Sequence, residues 1–85
     1  MTVRVRYLSA VRETAGRRED EIELPAGSRL GSVAEWIAAN RRIALPSPML
    51  MATLNGRGWT QLPELLDTAL GEGDQIAVFP LVSGG

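Results

Sequence analysis

Two adjacent glycines, Gly84 and Gly85, close the 85-residue sequence and are its best candidates for a chemical role. Glycine has no side chain to restrict the backbone or to block a close approach. A Gly-Gly end can therefore enter a narrow channel and present a bare carboxylate in the active site of another protein. Adenylation would give that carboxylate a good leaving group, and a sulfur nucleophile could then convert it to a thiocarboxylate. The alternative interpretation is a frayed terminal segment.

Three missing residue types exclude most kinds of self-sufficient catalysis. The sequence has no Cys, His or Lys. It therefore lacks a thiolate nucleophile and a cysteine metal site, the commonest general base near neutral pH, and the amine needed for a Schiff base. We expect a protein that binds no metal and no cofactor of its own and that acts through a partner.

Composition and charge restrict the class of partner. Nine arginines balance ten acidic residues for a net charge of −1, and no basic stretch suggests a nucleic-acid surface. Residues 1–6 lack the apolar core of a signal peptide, and no apolar run is long enough to span a membrane. We expect a cytoplasmic protein with one domain and with neither nucleic acid nor membrane as a partner.

Strands that could position the Gly-Gly end are predicted from the alternation of apolar and polar residues. This period of two is typical of half-buried strands. A further short strand, at 58–61, is predicted after the Asn55-Gly56 turn, and residues 10–18 are predicted to connect a hairpin by a loop. The alternating segments are residues 2–8, 19–24, 50–54 and 75–81.

Apolar residues at helical spacing predict one main helix, with Ser28 as its N-cap and an end at residues 40–42. The order of elements predicts an α+β fold of the β-grasp type, a mixed sheet of four to five strands with the helix on one face. We expect the domain to span residues 1–81 and a flexible tail to span 82–85. The helical stripe is Leu30, Val33, Ala34 and Ile37.

An apolar cluster is predicted on the face of the sheet that the helix does not cover. Leu8 and Phe79 point away from the helix if the residues that alternate with them along their strands face it. The first and last strands are neighbours in a β-grasp, so these side chains should lie together, with Met51 beside them. We predict that they form a docking patch for partner proteins, together with Trp59.

Four segments of the sequence resemble the molybdopterin synthase small subunit, a ubiquitin-like sulfur carrier. Residues 11–16 (VRETAG) are similar to its LRE-x-x-G segment, and residues 24–30 (LPAGSRL) to its LP-x-G-x-T-V segment. Residues 54–56 (LNG) resemble its V-N-G turn, and residues 70–85 (LGEGDQIAVFPLVSGG) its L-x-x-GDEVAF-x-PPVSGG ending. The sequence departs from the pattern at Arg29, at Leu81 and in the longer segment that begins at Trp59.

The resemblance implies a function and a set of partners. A ubiquitin-activator-like adenylyltransferase would use ATP to activate Gly85, and a sulfurtransferase would supply the sulfur. The tail would then enter the large subunit of molybdopterin synthase, as part of a heterotetramer, and donate sulfur to cyclic pyranopterin monophosphate. Gly84 and Gly85 would carry the chemistry. The residues leading into the large subunit would be Pro80, Leu81, Val82 and Ser83.

Three other functions remain open from the sequence. The chain could carry sulfur for cysteine or thiamine synthesis. It could be a ubiquitin-like modifier joined through Gly85 to lysines of other proteins. It could also be an interaction module with an incidental tail.

Overall fold

A mixed five-stranded sheet with one long helix forms the body of residues 1–81, the part of the chain that this computed structural model describes. The strands are β1 (Thr2–Tyr7), β2 (Glu19–Glu23), β3 (Leu50–Leu54), β4 (Arg57–Gly58) and β5 (Gln75–Pro80). The helices are α1 (Ala10–Ala15) and α2 (Leu30–Arg41), with 3-10 turns at Trp59–Gln61 and Leu65–Asp67. The strand order is β2-β1-β5-β3-β4, and only the β1–β5 pair is parallel among these residues.

Alternation along β1 and β5 separates a buried face of the sheet from an outer face. Val3, Val5 and Tyr7 are fully buried, as are Ile76 and Val78 on β5. The residues between them point the other way because successive side chains of a strand alternate. The four strands predicted from alternation, the two faces of β1 and β5, and the α+β β-grasp fold are confirmed.

Helix α2 covers the buried face with the predicted stripe. Leu30, Val33 and Ile37 are fully buried and Ala34 is nearly so, and all four join the core formed by the inward residues of β1 and β5. Arg41 is the last helical residue, and Arg42 closes the helix in the left-handed conformation, with φ 58°. The predicted helix is confirmed, and its C-terminal end lies where expected.

The N-terminus of α2 is not capped by Ser28, which corrects the prediction. The capping position is Arg29, which is extended and makes no side-chain cap bond. The Ser28 hydroxyl instead donates to the Pro25 carbonyl at 2.7 Å. A backbone bridge fixes the start of the helix, since the Leu30 amide donates to the Thr68 carbonyl and the Leu70 amide to the Ser28 carbonyl.

The segment after β1 contains a helix that the sequence analysis assigned to a loop. Helix α1 has six residues, and only Val11 among them is buried. It ends at Gly16, whose φ of 78° is readily adopted by glycine and whose amide donates to the Arg12 carbonyl. So short a helix with a single buried residue shows no helical period in the sequence.

Candidate functional site

Strand β5 carries the chain to the tail from the middle of the sheet. β1 flanks it on one side and β3 on the other. The Leu8 amide donates to the Val78 carbonyl at 2.9 Å, and the Leu81 amide donates to the Met49 carbonyl at 3.1 Å. Hydrogen bonds therefore hold the backbone as far as Val78 on the β1 side and as far as Leu81 on the β3 side.

The outer face has an apolar row at the end of the sheet from which the tail leaves. Met51 pairs with Phe79, and both are half-buried. Tyr7 pairs with Val78, so the same register continued by one residue brings Leu8 beside Phe79. The structure thus brings together three of the four predicted patch residues. We call Leu8, Met49, Met51, Phe79 and Leu81 the outer apolar row.

Met49, which was not predicted, and Leu81, which was predicted to contact a partner as part of the chain end, extend the row. They are 73% and 55% exposed, and their backbone hydrogen bond places them opposite one another, next to the Met51–Phe79 pair. Each lies two residues from a member of that pair, so each points to the same face. Met49 is not predicted by the alternation because it comes before the alternating segment of β3.

Charged residues occupy the opposite side of the outer face, on β1 and β2. The guanidinium of Arg4 lies 3.0 Å from a carboxylate oxygen of Glu21, and Glu19 lies within 4 Å of both Arg4 and Arg6. These ion pairs are exposed and contribute little to stability. They form a polar boundary along one side of the outer apolar row.

Trp59 is not part of the outer apolar row, which corrects the fourth patch residue. It is only 5% exposed and belongs to the core. The predicted strand at 58–61 ends at Gly58, where the chain enters a 3-10 turn that directs Trp59 inward. The indole Nε1 has no hydrogen-bond partner among residues 1–81. The ring forms one wall of a surface cavity of about 450 Å³ beside Pro46 and Leu65.

Asp20 is a buried acid that the sequence analysis did not single out. One carboxylate oxygen accepts hydrogen bonds from Arg41 Nη2 at 2.7 Å and from Arg17 Nη1 at 2.9 Å. The other accepts from Arg41 Nε at 2.8 Å and from the Tyr7 hydroxyl at 2.7 Å. The sequence did contain a signal, because alternation along β2 places Asp20 on the same face as buried Ile22.

The environment of Asp20 suits a structural role. The hydrogen bonds from Arg41 are the main cause that lowers the pKa of Asp20 to about 2. Burial, and then the bond to Asp20, raise the pKa of the Tyr7 hydroxyl. The carboxylate is therefore ionised at neutral pH, with two donors on each oxygen. It fastens β2 to the end of α2 and has no free position from which to accept a proton from a substrate.

The remaining predicted site residues, Val82, Ser83, Gly84 and Gly85, lie outside the described residues. Within residues 1–81, no cluster of three acidic side chains is arranged to hold a metal ion. No helix in that same part of the chain has both the length and the apolar character needed to cross a membrane. The described part of the candidate site is therefore the outer apolar row and the end of β5.

The β-grasp sheet with its single long helix defines a ubiquitin-like protein. The model of the ThiS family matches residues 5–85. The chain belongs to the ThiS family of ubiquitin-like sulfur carriers, which confirms the resemblance found in the sequence.

Solved structures agree with that assignment. A putative molybdopterin converting factor subunit 1 from Pyrococcus furiosus is 30% identical, with a TM-score of 0.78 over 96% of this chain and 99% of that one. The small archaeal modifier protein 1 from Methanosarcina acetivorans is 24% identical, with a TM-score of 0.79 over 99% and 96%. A complex of subunits 1 and 2 of the molybdopterin-converting factor from Helicobacter pylori contains a chain that is 21% identical, with a TM-score of 0.70. The match covers 100% of this chain and 100% of that one. The last two likenesses establish the fold.

Proposed function

We propose that this chain is the sulfur-carrying small subunit of a molybdopterin synthase. In this proposal the Gly85 carboxylate attacks the α-phosphate of ATP on an adenylyltransferase, and pyrophosphate leaves. Sulfide supplied through a sulfurtransferase then attacks the acyl carbon, the bond from that carbon to AMP breaks, and AMP departs, which leaves a thiocarboxylate on Gly85. The thiocarboxylate donates its sulfur to cyclic pyranopterin monophosphate in the large subunit. The 30% identity to the Pyrococcus furiosus protein favours this pathway over the other sulfur-carrier pathways.

The observation that carries the proposal is the position of the end of β5, the strand that leads to residues 82–85, beside the outer apolar row. Hydrogen bonds to β1 and β3 fix the end of β5, and the row lies at that same end of the sheet. A partner that covers Phe79 and Leu81 therefore receives residues 82–85 at a defined point of its own surface. This arrangement suits a carrier whose reactive atom must enter an active site on another protein.

The outer apolar row is also the surface that we propose for docking both the activator and the large subunit. Leu8, Met49 and Leu81 are exposed, and the half-buried Phe79 lies between them in the sheet. Exposed apolar residues are ordinary when they occur singly, but a continuous row next to a functional tail points to an interface. One surface serving both partners requires that they bind in turn.

Intact mass spectrometry after incubation with the activator, ATP and sulfide tests the carrier chemistry. We expect the chain to gain the mass difference between sulfur and oxygen, at its last residue. The matched control lacks Gly85, and it should keep its fold and gain no mass, because a terminal glycine buries no apolar surface. A control that gains the same mass would place the chemistry elsewhere in the chain.

A second experiment separates the sulfur-carrier pathways. The thiocarboxylated chain is offered, in separate reactions, to the large subunit with cyclic pyranopterin monophosphate and to enzymes of cysteine or thiazole synthesis. We expect sulfur transfer only in the first reaction. Sulfur transfer only in the second reaction would support the carrier chemistry but assign the chain to cysteine or thiazole synthesis. Attachment of the chain to protein lysines, without sulfur transfer, would identify it as a modifier.

A further inference from the structure

The nine basic side chains are all arginines, so the chain has no lysine amine that could react with Gly85. This matters if Gly85 is activated as proposed above. An acyl adenylate or thioester is readily attacked by amines. A lysine amine, with a pKa of about 10.4, is partly unprotonated at mildly basic pH, whereas an arginine guanidinium stays protonated and is a poor nucleophile. The choice of arginine therefore matters most where a basic residue lies within reach of Gly85.

Arg42 is one of the basic residues that the structure places near the end of β5, the strand that leads to residues 82–85. It is exposed at the end of α2 and lines a groove of about 330 Å³ together with Leu50 and Pro80. Four residues beyond Leu81 span at most about 14 Å. An amine on a long side chain at position 42 would therefore lie within reach of an activated Gly85.

The amino group of Met1 lies at the opposite end of the sheet. It donates to the Leu24 carbonyl at 2.8 Å. Because β1 and β5 are parallel and Arg4 pairs with Gln75, the tail leaves the sheet about 20 Å beyond Arg4, at roughly 3.3 Å per residue. Met1 is farther still, so the tail cannot bring Gly85 to it.

We propose that arginine at position 42 keeps the region around the tail free of internal acceptors, so that activated Gly85 reacts only with an external nucleophile. In the reaction thus avoided, a lysine amine at this position attacks the acyl carbon of Gly85. The bond from that carbon to the leaving group breaks, AMP or a thiol departs, and the amine loses a proton to solvent. The resulting amide would end the carrier's cycle.

The test uses a Gly85 thioester made by thiolysis of an intein fusion, which requires no activating enzyme. Arg42→Lys is compared with Arg57→Lys and with the unaltered chain at about pH 8. Arg57 is also an exposed arginine. It lies in β4 and pairs with Leu54 of β3, which in turn pairs with Ile76 near the start of β5. It lies roughly 20 Å from Leu81 by strand spacing, well beyond the root-mean-square span of a four-residue tail, about 11 Å.

Arg42→Lys should form an internal amide, lighter by one water molecule than the hydrolysed chain. At about 10 µM protein, an effective concentration near 1 mM favours this reaction over attack between chains by about 100-fold. Arg57→Lys and the unaltered chain should mainly hydrolyse. Equal products from the two variants, or an internal amide in the unaltered chain, would overturn the inference. Because this thioester is made without the activating enzyme, neither result affects the mass test of the proposed function, and the two proposals can fail separately.

Discussion

Replacing Asp20 by asparagine should remove a pH-dependent part of the stability of the fold. The substitution keeps the size of the side chain but removes the negative charge of the carboxylate. That carboxylate is paired with Arg41 and Arg17 and accepts a hydrogen bond from the Tyr7 hydroxyl. The native pKa of Asp20 is lowered from 3.8 to about 2. A depression of that size corresponds to roughly 2 kcal/mol of stability at neutral pH, and we expect Asp20→Asn to lose about that much.

The pH at which the loss appears follows from the direction of the shift. A carboxylate with a depressed native pKa contributes its full stability above the unfolded pKa and loses it as the pH falls through the native pKa. The difference in unfolding free energy between the original chain and Asp20→Asn should therefore be largest near pH 7. It should narrow between about pH 4 and about pH 2, because Asp20 becomes neutral there and resembles the asparagine.

Urea unfolding followed by tryptophan fluorescence measures this difference, with buried Trp59 as the reporter. The matched control is Glu21→Gln, which removes one carboxylate from an exposed ion pair with Arg4. We expect that control to change the free energy of unfolding little at any pH, because an exposed ion pair contributes little to stability. A free-energy difference for Asp20→Asn that stays constant from pH 7 to pH 2 would refute the electrostatic reasoning.

Two further substitutions test the assignment of residues to the outer apolar row and to the core. Phe79→Ser should weaken binding of the large subunit by about 30- to 1,000-fold, the range for an aromatic hot spot, and change the urea midpoint of the free chain little. Unfolding of the free chain instead would assign Phe79 to the core and exclude the docking row. Trp59→Ala should cost about 3–5 kcal/mol, as expected for a buried aromatic residue, whereas Trp36→Ala, at a half-buried site, should cost less. Equal losses from the two tryptophan variants would contradict the placement of Trp59.

The sheet could be predicted from the sequence because burial imposes a period of two on each strand. The predicted register placed Leu8, Met51 and Phe79 on one face, and the structure pairs them as expected. Alternation does not predict where a strand ends, since hydrogen bonding rather than residue type ends a strand. Leu8 and Leu81 thus lie just outside β1 and β5, although hydrogen bonds to neighbouring strands still hold them.

Features that depend on distant contacts could not be predicted from local pattern. Trp59 was assigned to the surface on the assumption that its segment continues as a strand, but the chain turns at Gly58 and buries the ring. Two partners of Asp20, Tyr7 of β1 and Arg41 of α2, lie 13 and 21 residues away in the sequence, which no local period connects. Only Gly16, at the end of α1, gave a local signal of that short helix.

The parallel pairing of β1 with β5 also determines how the molecule would carry a mechanical load. A partner that draws on residue 82 pulls along the axis of β5, and the reaction force passes into β1 and β3 through bonds that cross that axis. Such bonds share the load together, in shear, instead of opening one after another. Traction on the tail during release from a deep channel would therefore be spread across the middle of the sheet. The fold can hold its carrier end under tension without unravelling from that end.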